Sequence, residues 1–288
     1  MNAVPEIHAF FDEPTNAVSY LVADPASGAA AVIDPVLNFD LASGEISSRS
    51  AEQMLALATD RGHSIEWVLE THVHADHLSA ADFIRGRTGA KVGIGEGVRA
   101  VQQAFAPRFG ADEAGSAFDR LFADGDTIAL GELTIEVLAS PGHTPACVSY
   151  KVGDALFVGD TLFMPDYGTA RTDFPGGDAR QLYRSIRRIL SFPRKTRLFL
   201  CHDYKAPGRD AYEWQTTVGD ELDNNVHVGG GIPEEEFVAM RQARDATLCA
   251  PKLLYPSIQV NVRGGRLPPA EANGERYLKI PLTVAASA

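Results

Sequence analysis

"THVHADH", Thr71 to His77, places three histidines and an aspartate within seven residues. A surface loop gains nothing from clustered imidazoles. A buried loop would need a partner for each of these polar groups. A metal ion faced by all of them satisfies both conditions. The stretch closes "SIEWVLET", an apolar, β-rich run from Ser64. The cluster is therefore expected in a loop at the carboxyl end of a strand, where open α/β sheets place their ligands.

Working outward, the same pattern returns three times. His143 lies in "SPGHTPACVSY", Asp160 in "FVGDTLF" and His202 in "FLCHDY", each after an apolar β-run. Strand ends of one sheet converge on one edge, so residues remote in sequence can meet around an ion. Imidazole with carboxylate suits zinc or iron, whereas calcium takes oxygen ligands. Isolated histidines carry no such reading, and His8, His63 and His227 are expected as surface or satisfied core residues.

The surrounding pattern is that of an α/β chain. "NAVSYLVAD" and "AAAVIDPV" read as strands, and "SRSAEQMLALATDRG" as a helix with Ser50 and Gln53 as its capping box. "AADFIRGRTG" reads as a helix and "KVGIG" as a strand. "DTIALGELTIEVLASP" and "ACVSYKVGDALFVGD" read as hairpins turning at Gly131 and at Gly153-Asp154. Asp178 and Gln181 cap "ARQLYRSIRRIL". "YEWQTTVGDELDN" and "PEEEFVAMRQARD" read as helical, the second with Pro233 in its first turn. The tail from Pro256 is Gly- and Pro-rich and reads as irregular.

Composition narrows the function. The 288 residues suffice for a sizeable core, and the apolar fraction of 45% is that of a globular protein. The net charge of −12 argues against nucleic-acid binding, which leans on a basic face. The basic run Arg184 to Arg197 reads as a solvated helix face. No apolar run is long enough to span a bilayer, and the start has no secretory pattern. Cys147, Cys201 and Cys249 are few and far apart, which fits a reducing cytoplasm rather than a disulfide framework.

"THVHADH", "SPGHT", "GDTLF" and "CHDY", in this order and spacing, resemble the metallo-β-lactamase superfamily. The resemblance implies an αββα sandwich of two mixed β-sheets flanked by helices, with metal at one edge. It covers roughly residues 5 to 205. Residues 1–205 are accordingly expected to form the fold domain, and 206–288 a helical and irregular extension packed on it. On superfamily grounds His72, His74 and His143 match one metal position. Asp76, His77 and His202 match the other, with Asp160 between them. The superfamily spans thioester hydrolases, β-lactamases, nucleases, oxygen reductases and a sulfur dioxygenase, so fold alone does not choose.

"GTARTDFPGGDARQLYRSI" resembles the persulfide dioxygenase branch through Arg171, Thr172, Asp173 and Phe174. "CHDY" and the late "NVRGG" carry the likeness to about residue 270. The chain departs from that branch at "DYGTA" and in extra sequence around Gln102 to Asp119. The branch implies one Fe(II) held by His72, His143 and Asp160, a two-histidine, one-carboxylate set with open positions for persulfide and O₂. His74, Asp76, His77 and His202 would then orient ligands and waters rather than bind. The implied substrate is glutathione persulfide, oxidised to sulfite and glutathione. Arg171, Arg263 and Asn261 are candidates for its carboxylates and Tyr204 for its sulfur, although Arg171 could instead pair internally with Asp173 or Asp203. The family also allows a homodimer. Two other readings stay open. One is a dinuclear zinc hydrolase of glutathione thioesters or lactams, with all seven ligands bound. The other is a metal-dependent binding protein without turnover.

Overall fold

Apolar residues on both faces of a strand call for packing partners on both sides, and the central strands of this chain have them. The computed structural model describes residues 4–109 and 117–283. In chain order the first half comprises β1 (Glu6–Asp12), β2 (Ala17–Ala23), β3 (Ala29–Ile33), β4 (Val36–Phe39), β5 (Ile46–Ser47), α1 (Arg49–Asp60), β6 (Ser64–Leu69), β7 (Leu78–Ser79), α2 (Ala81–Thr88), β8 (Lys91–Gly95), α3 (Val98–Phe109) and β9 (Arg120–Phe122). The second half comprises β10 (Thr127–Leu130), β11 (Leu133–Ala139), β12 (Val148–Val152), β13 (Ala155–Phe157), α4 (Ala179–Ile189), β14 (Arg197–Phe199), β15 (Gln215–Thr217), α5 (Val218–Asn224), α6 (Glu234–Asp245) and α7 (Leu254–Asn261).

Six strands form one sheet in the order β1-β2-β3-β6-β8-β9, and six form a second, β10 through β15 in sequence order. Both are mixed: β3, β6, β8 and β9 run parallel, as do β13 and β14, and the other pairs in these sheets are antiparallel. β4, β5 and β7 make a small separate sheet. Side-chain alternation divides β2 between two layers. Val18, Tyr20 and Val22 pack between the sheets against Ile135, Val137 and Tyr150. Leu21 and Ala23 face outward onto the helix side with Met54, Ile84 and Val101. α4 covers the other sheet through Leu182, Ile186 and Ile189. Each such Leu or Ile, fully buried, contributes roughly 1.5–3 kcal/mol. The result is the αββα sandwich expected from the sequence.

The later helices join these layers. Phe237 of α6 packs in the α4 layer. Ile258 and Val260 of α7 pack in the α1–α3 layer. The basic run is a solvated face as expected: Arg184, Arg188, Arg194 and Arg197 pair with Glu234, Asp124, Asp223 and Asp154. All three cysteines are free thiols. Among the described residues no helix is long and apolar enough to cross a membrane.

Several local expectations need correction. α1 starts at Arg49, before the expected Ser50 cap, and Ser50 Oγ is turned to Asp12 Oδ1 at 3.2 Å instead. Gln215–Thr217 is strand rather than helix, because it adds an edge to β14; Thr217 then caps α5. Pro233 is the cap residue of α6 rather than part of its first turn. The tail from Pro256 is helical at first, since Pro256 sits in the opening turn of α7, where a missing N–H costs nothing. The extra sequence at Gln102 to Asp119 begins inside α3; Gln102 is buried and donates to the Val262 carbonyl at 2.9 Å. Residues 110–116 of that stretch lie outside the described residues.

Candidate metal centre

Every candidate ligand lies just past a strand. His72, His74, Asp76 and His77 follow β6, His143 follows β11, Asp160 follows β13 in a 3-10 turn (Gly159–Thr161), and His202 follows β14. They therefore come from both sheets and meet at one edge of the sandwich. Gly159 permits the closest approach. Its φ is +53°, and a Cβ there would lie 2.6 Å from Thr71 Oγ1, so only glycine lets the Asp160 turn approach the histidine loop.

Fixed oxygens set the proton on each ring. Thr71 has one hydroxyl hydrogen, and it goes to Asp34 Oδ2 at 2.8 Å. His72 Nδ1, 3.0 Å from the same hydroxyl, must therefore be the donor. Carbonyls only accept, so His143 Nδ1 donates to Arg171 O (2.8 Å), His77 Nδ1 to Leu78 O (3.0 Å) and His202 Nδ1 to Asn16 O (3.1 Å). Each of the four rings keeps its Nε2 lone pair free. Among the described residues His72 Nε2, His74 Nδ1, His202 Nε2 and Asp76 Oδ2 are buried without a hydrogen-bond partner. Unpartnered buried acceptors facing one another are costly unless a cation completes them.

His72, His143 and Asp160 offer donor atoms within 4.8 Å of one another. Asp160 Oδ2 lies 3.7 Å from His72 Nε2 and 3.5 Å from His143 Nε2. An ion with bonds of roughly 2.0–2.2 Å holds neighbouring donors about 3–3.6 Å apart, so this trio fits one ion. His74 groups instead with Asp76 and His77, and with Asp34 and Glu70. Its Nε2 donates to Asp34 Oδ1 at 3.0 Å and lies 3.4 Å from Glu70 Oε2. Burial opposes charge on the His74 ring, but Asp34 and Glu70 outweigh it and raise its pKa; burial raises the Glu70 carboxyl as well. Burial pushes His72 well below the usual histidine range and His77 down to about 4, aided by neighbouring imidazoles. Neutral rings are what metal binding needs.

A family model described as the metallo-beta-lactamase superfamily matches residues 12–202, which include every one of these donors. The chain belongs to this superfamily. A probable metallo-hydrolase of Burkholderia pseudomallei is 54% identical, over 96% of this chain and 98% of that one. A protein named glyoxylase B2 from Dictyostelium discoideum is 44% identical over 91% of each. The mitochondrial persulfide dioxygenase ETHE1 of Bos taurus is 28% identical, over 92% of this chain and 91% of that one. Among solved structures, ETHE1 from Myxococcus xanthus aligns with a TM-score of 0.74 and 31% identity, over 91% of this chain and 100% of that one.

The donors open onto a cavity of about 520 Å³. Asp76, His143 and Asp160 line it, with Phe163, Tyr167 and Tyr204 on an aromatic wall. Tyr204 stacks on His202 at 5.3 Å, is 40% exposed and lines this cavity. Arg171 also lines the cavity, but its guanidinium is already paired with Asp173 (2.5 and 2.6 Å) and with the Cys249 carbonyl (2.8 Å). The internal pairing with Asp173 is thus realised, and Asp203 pairs with Arg209 instead. Asn261 and Arg263 do not line the cavity. Asn261 is buried, and its amide is spent on Ser79 N, His74 O and His77 O at 2.8 Å each. It clamps the histidine loop rather than facing a substrate.

Sequence reasoning missed Asp34, Glu70 and Thr71, which steer His72 and His74, and it missed Arg244 and Lys252 in the cavity wall. Asp34 had a signal in "VIDP", a carboxylate at a strand end before proline. The two cations had none, because nothing local distinguishes them from solvated residues.

Proposed function

We propose that this chain is a persulfide dioxygenase that converts glutathione persulfide, O₂ and water to glutathione and sulfite at one Fe(II). The observation that carries the reading is the separation of donors: His72, His143 and Asp160 form one tight set, while His74 belongs to other groups, with Asp76 and His77 or with Asp34 and Glu70, and its Nε2 is spent on Asp34. Two histidines and a carboxylate on one face are the donor set of non-haem Fe(II) oxygenases. Fe(II) supplies the redox activity toward O₂ that zinc lacks. The likeness to ETHE1 across nearly the whole chain supports the same choice. The chain itself holds the three donors in position, keeps each ring's lone pair inward and walls the site with aromatic side chains. Tyr204 is placed to donate to the substrate sulfur. Arg244 and Lys252, which also line the cavity, are better placed than Asn261 or Arg263 to receive carboxylates. We place the enzyme in the cytoplasm and leave residues 206–288 as an extension of the fold domain.

A second reading has its own support. Asp76 Oδ2 and His202 Nε2 are also unpartnered, and together with His77 they could hold a second ion. Two zinc ions would make a hydrolase of glutathione thioesters. An oxygen electrode and a sulfite assay on anaerobically purified, iron-loaded protein separate the two. Glutathione persulfide should drive O₂ uptake with sulfite release, and S-lactoylglutathione should not be hydrolysed. Rapid thioester hydrolysis with no persulfide-dependent O₂ uptake would establish the zinc reading instead.

A further inference from the structure

A one-ion site needs something that keeps a second ion out, because Asp76, His77 and His202 stand ready beside it. Two ions can share a carboxylate by taking one oxygen each, and Asp160 is the carboxylate between the two groups. Its Oδ2 faces His72 and His143, and its Oδ1 lies 3.5 Å from His202 Nε2. Oδ1 already has a partner. The buried Cys201 thiol donates to it across 2.6 Å. Cys201 is held there by its backbone: its carbonyl accepts from Val18 N at 2.8 Å, and the next residue, His202, bridges to Ala17. With 3% of its surface exposed, the thiol has little room to turn away.

We propose that Cys201 is a positioning residue that sets the number of ions in the site. Its S–H occupies Asp160 Oδ1 and leaves Oδ2 as the single oxygen offered to iron. A second ion bridging through Oδ1 must break this hydrogen bond and strand a buried thiol beside itself. Partners of this kind, which touch a ligand and not the ion, change metal affinity by ~10–100-fold. The inference rests on the one-iron reading.

The test compares the full chain with Cys201→Ala and Cys201→Ser. Each protein is stripped of metal anaerobically and titrated with Co(II) against a competing chelator, with elemental analysis of the loaded forms. The wild type should take one ion tightly and a second weakly. Cys201→Ala should bind the second ion more tightly and the first more weakly, narrowing the gap between the two affinities by ~10–100-fold, and circular dichroism should show the same fold. Cys201→Ser should behave as the wild type, because a hydroxyl also donates to Oδ1. Equal second-ion affinity in all three proteins, with one tight ion each, overturns the role of Cys201 and leaves the one-iron reading standing. Two equally tight ions in the wild type overturn both. A serine variant that behaves as the alanine variant overturns the hydrogen-bond basis. A thiolate-to-cobalt charge-transfer band in the wild type, absent from Cys201→Ala, overturns the proposal by making the thiol a ligand.

Discussion

His143 has its proton fixed by the carbonyl of Arg171, and His72 has its proton fixed by a hydroxyl that Asp34 has already claimed. These small constraints keep both lone pairs on the metal side. Removing a ligand and removing its support should therefore differ. His143→Ala should abolish stoichiometric iron. Thr71→Val should weaken iron by about 10–100-fold without abolishing it. His74→Ala should resemble Thr71→Val, and competition with a chromophoric chelator would measure all three. Loss of iron in His74→Ala as complete as in His143→Ala would make His74 a ligand. In the cavity, Tyr204→Phe should lower kcat/KM about 2- to 10-fold, the worth of one neutral hydrogen bond. At this scale the sequence was most informative where chemistry is dense: "THVHADH", His143, Asp160 and His202 are brought together as expected. Asn261 was legible only as a polar residue near a motif, since which groups its amide meets depends on the packing of α7 against the loop after β6.

At the scale of elements, α6 supports the centre without touching it. Asp245 accepts from Thr172 N and Oγ1 at 2.8 and 2.9 Å and pairs with the buried Arg241, which donates to Thr169 O at 3.1 Å. The segment pinned in this way carries Arg171, whose carbonyl orients His143. Asp245→Ala would leave Arg241 buried and unpaired, at a cost of roughly 3–5 kcal/mol, and should loosen iron binding as well. Chemical denaturation with parallel metal analysis would show both losses. α5 carries a pH dependence of its own. Burial raises Glu221 to about 8, and its Oε1 has no partner among the described residues. The folded state therefore favours the protonated acid. The contribution is full below the unfolded value near 4.5 and is lost as pH rises to about 8, at about 1.4 kcal/mol per pH unit. Glu221→Gln should flatten this slope, raising the melting temperature more at pH 8 than at pH 5. The Asp178 cap and the two hairpins were legible because Asp178, Gly131 and Gly153 act locally. β15 was not, because three residues become strand only when β14 offers an edge, and α7 was not, because proline and glycine around it mask a short buried helix.

For the whole molecule, the centre is a joint between two sheets. His72 comes from the sheet containing β6, and His143 and Asp160 from the sheet containing β11 and β13. An ion held by all three ties the sheets together at this edge, beside the Ala17–His202 backbone bridge. Without it, several unpartnered polar atoms remain buried in the seam. The ion should therefore stabilise the fold as a ligand of the native state, by about 2.7 kcal/mol at a free concentration 100-fold above Kd. For a chain of this size that is roughly 5–10 °C in melting temperature. A chelator should lower the wild-type melting temperature by that amount and leave His143→Ala, which holds no ion, unmoved. Metal binding requires neutral imidazoles, and burial holds His72 well below the usual histidine range and His77 at about 4, so the chelator effect should persist as pH falls through roughly 6.5 and shrink only at lower pH. Differential scanning fluorimetry across pH, with and without chelator, reads both effects. An equal chelator response in wild type and His143→Ala would show that the ion stabilising the fold is not the one held by His72, His143 and Asp160.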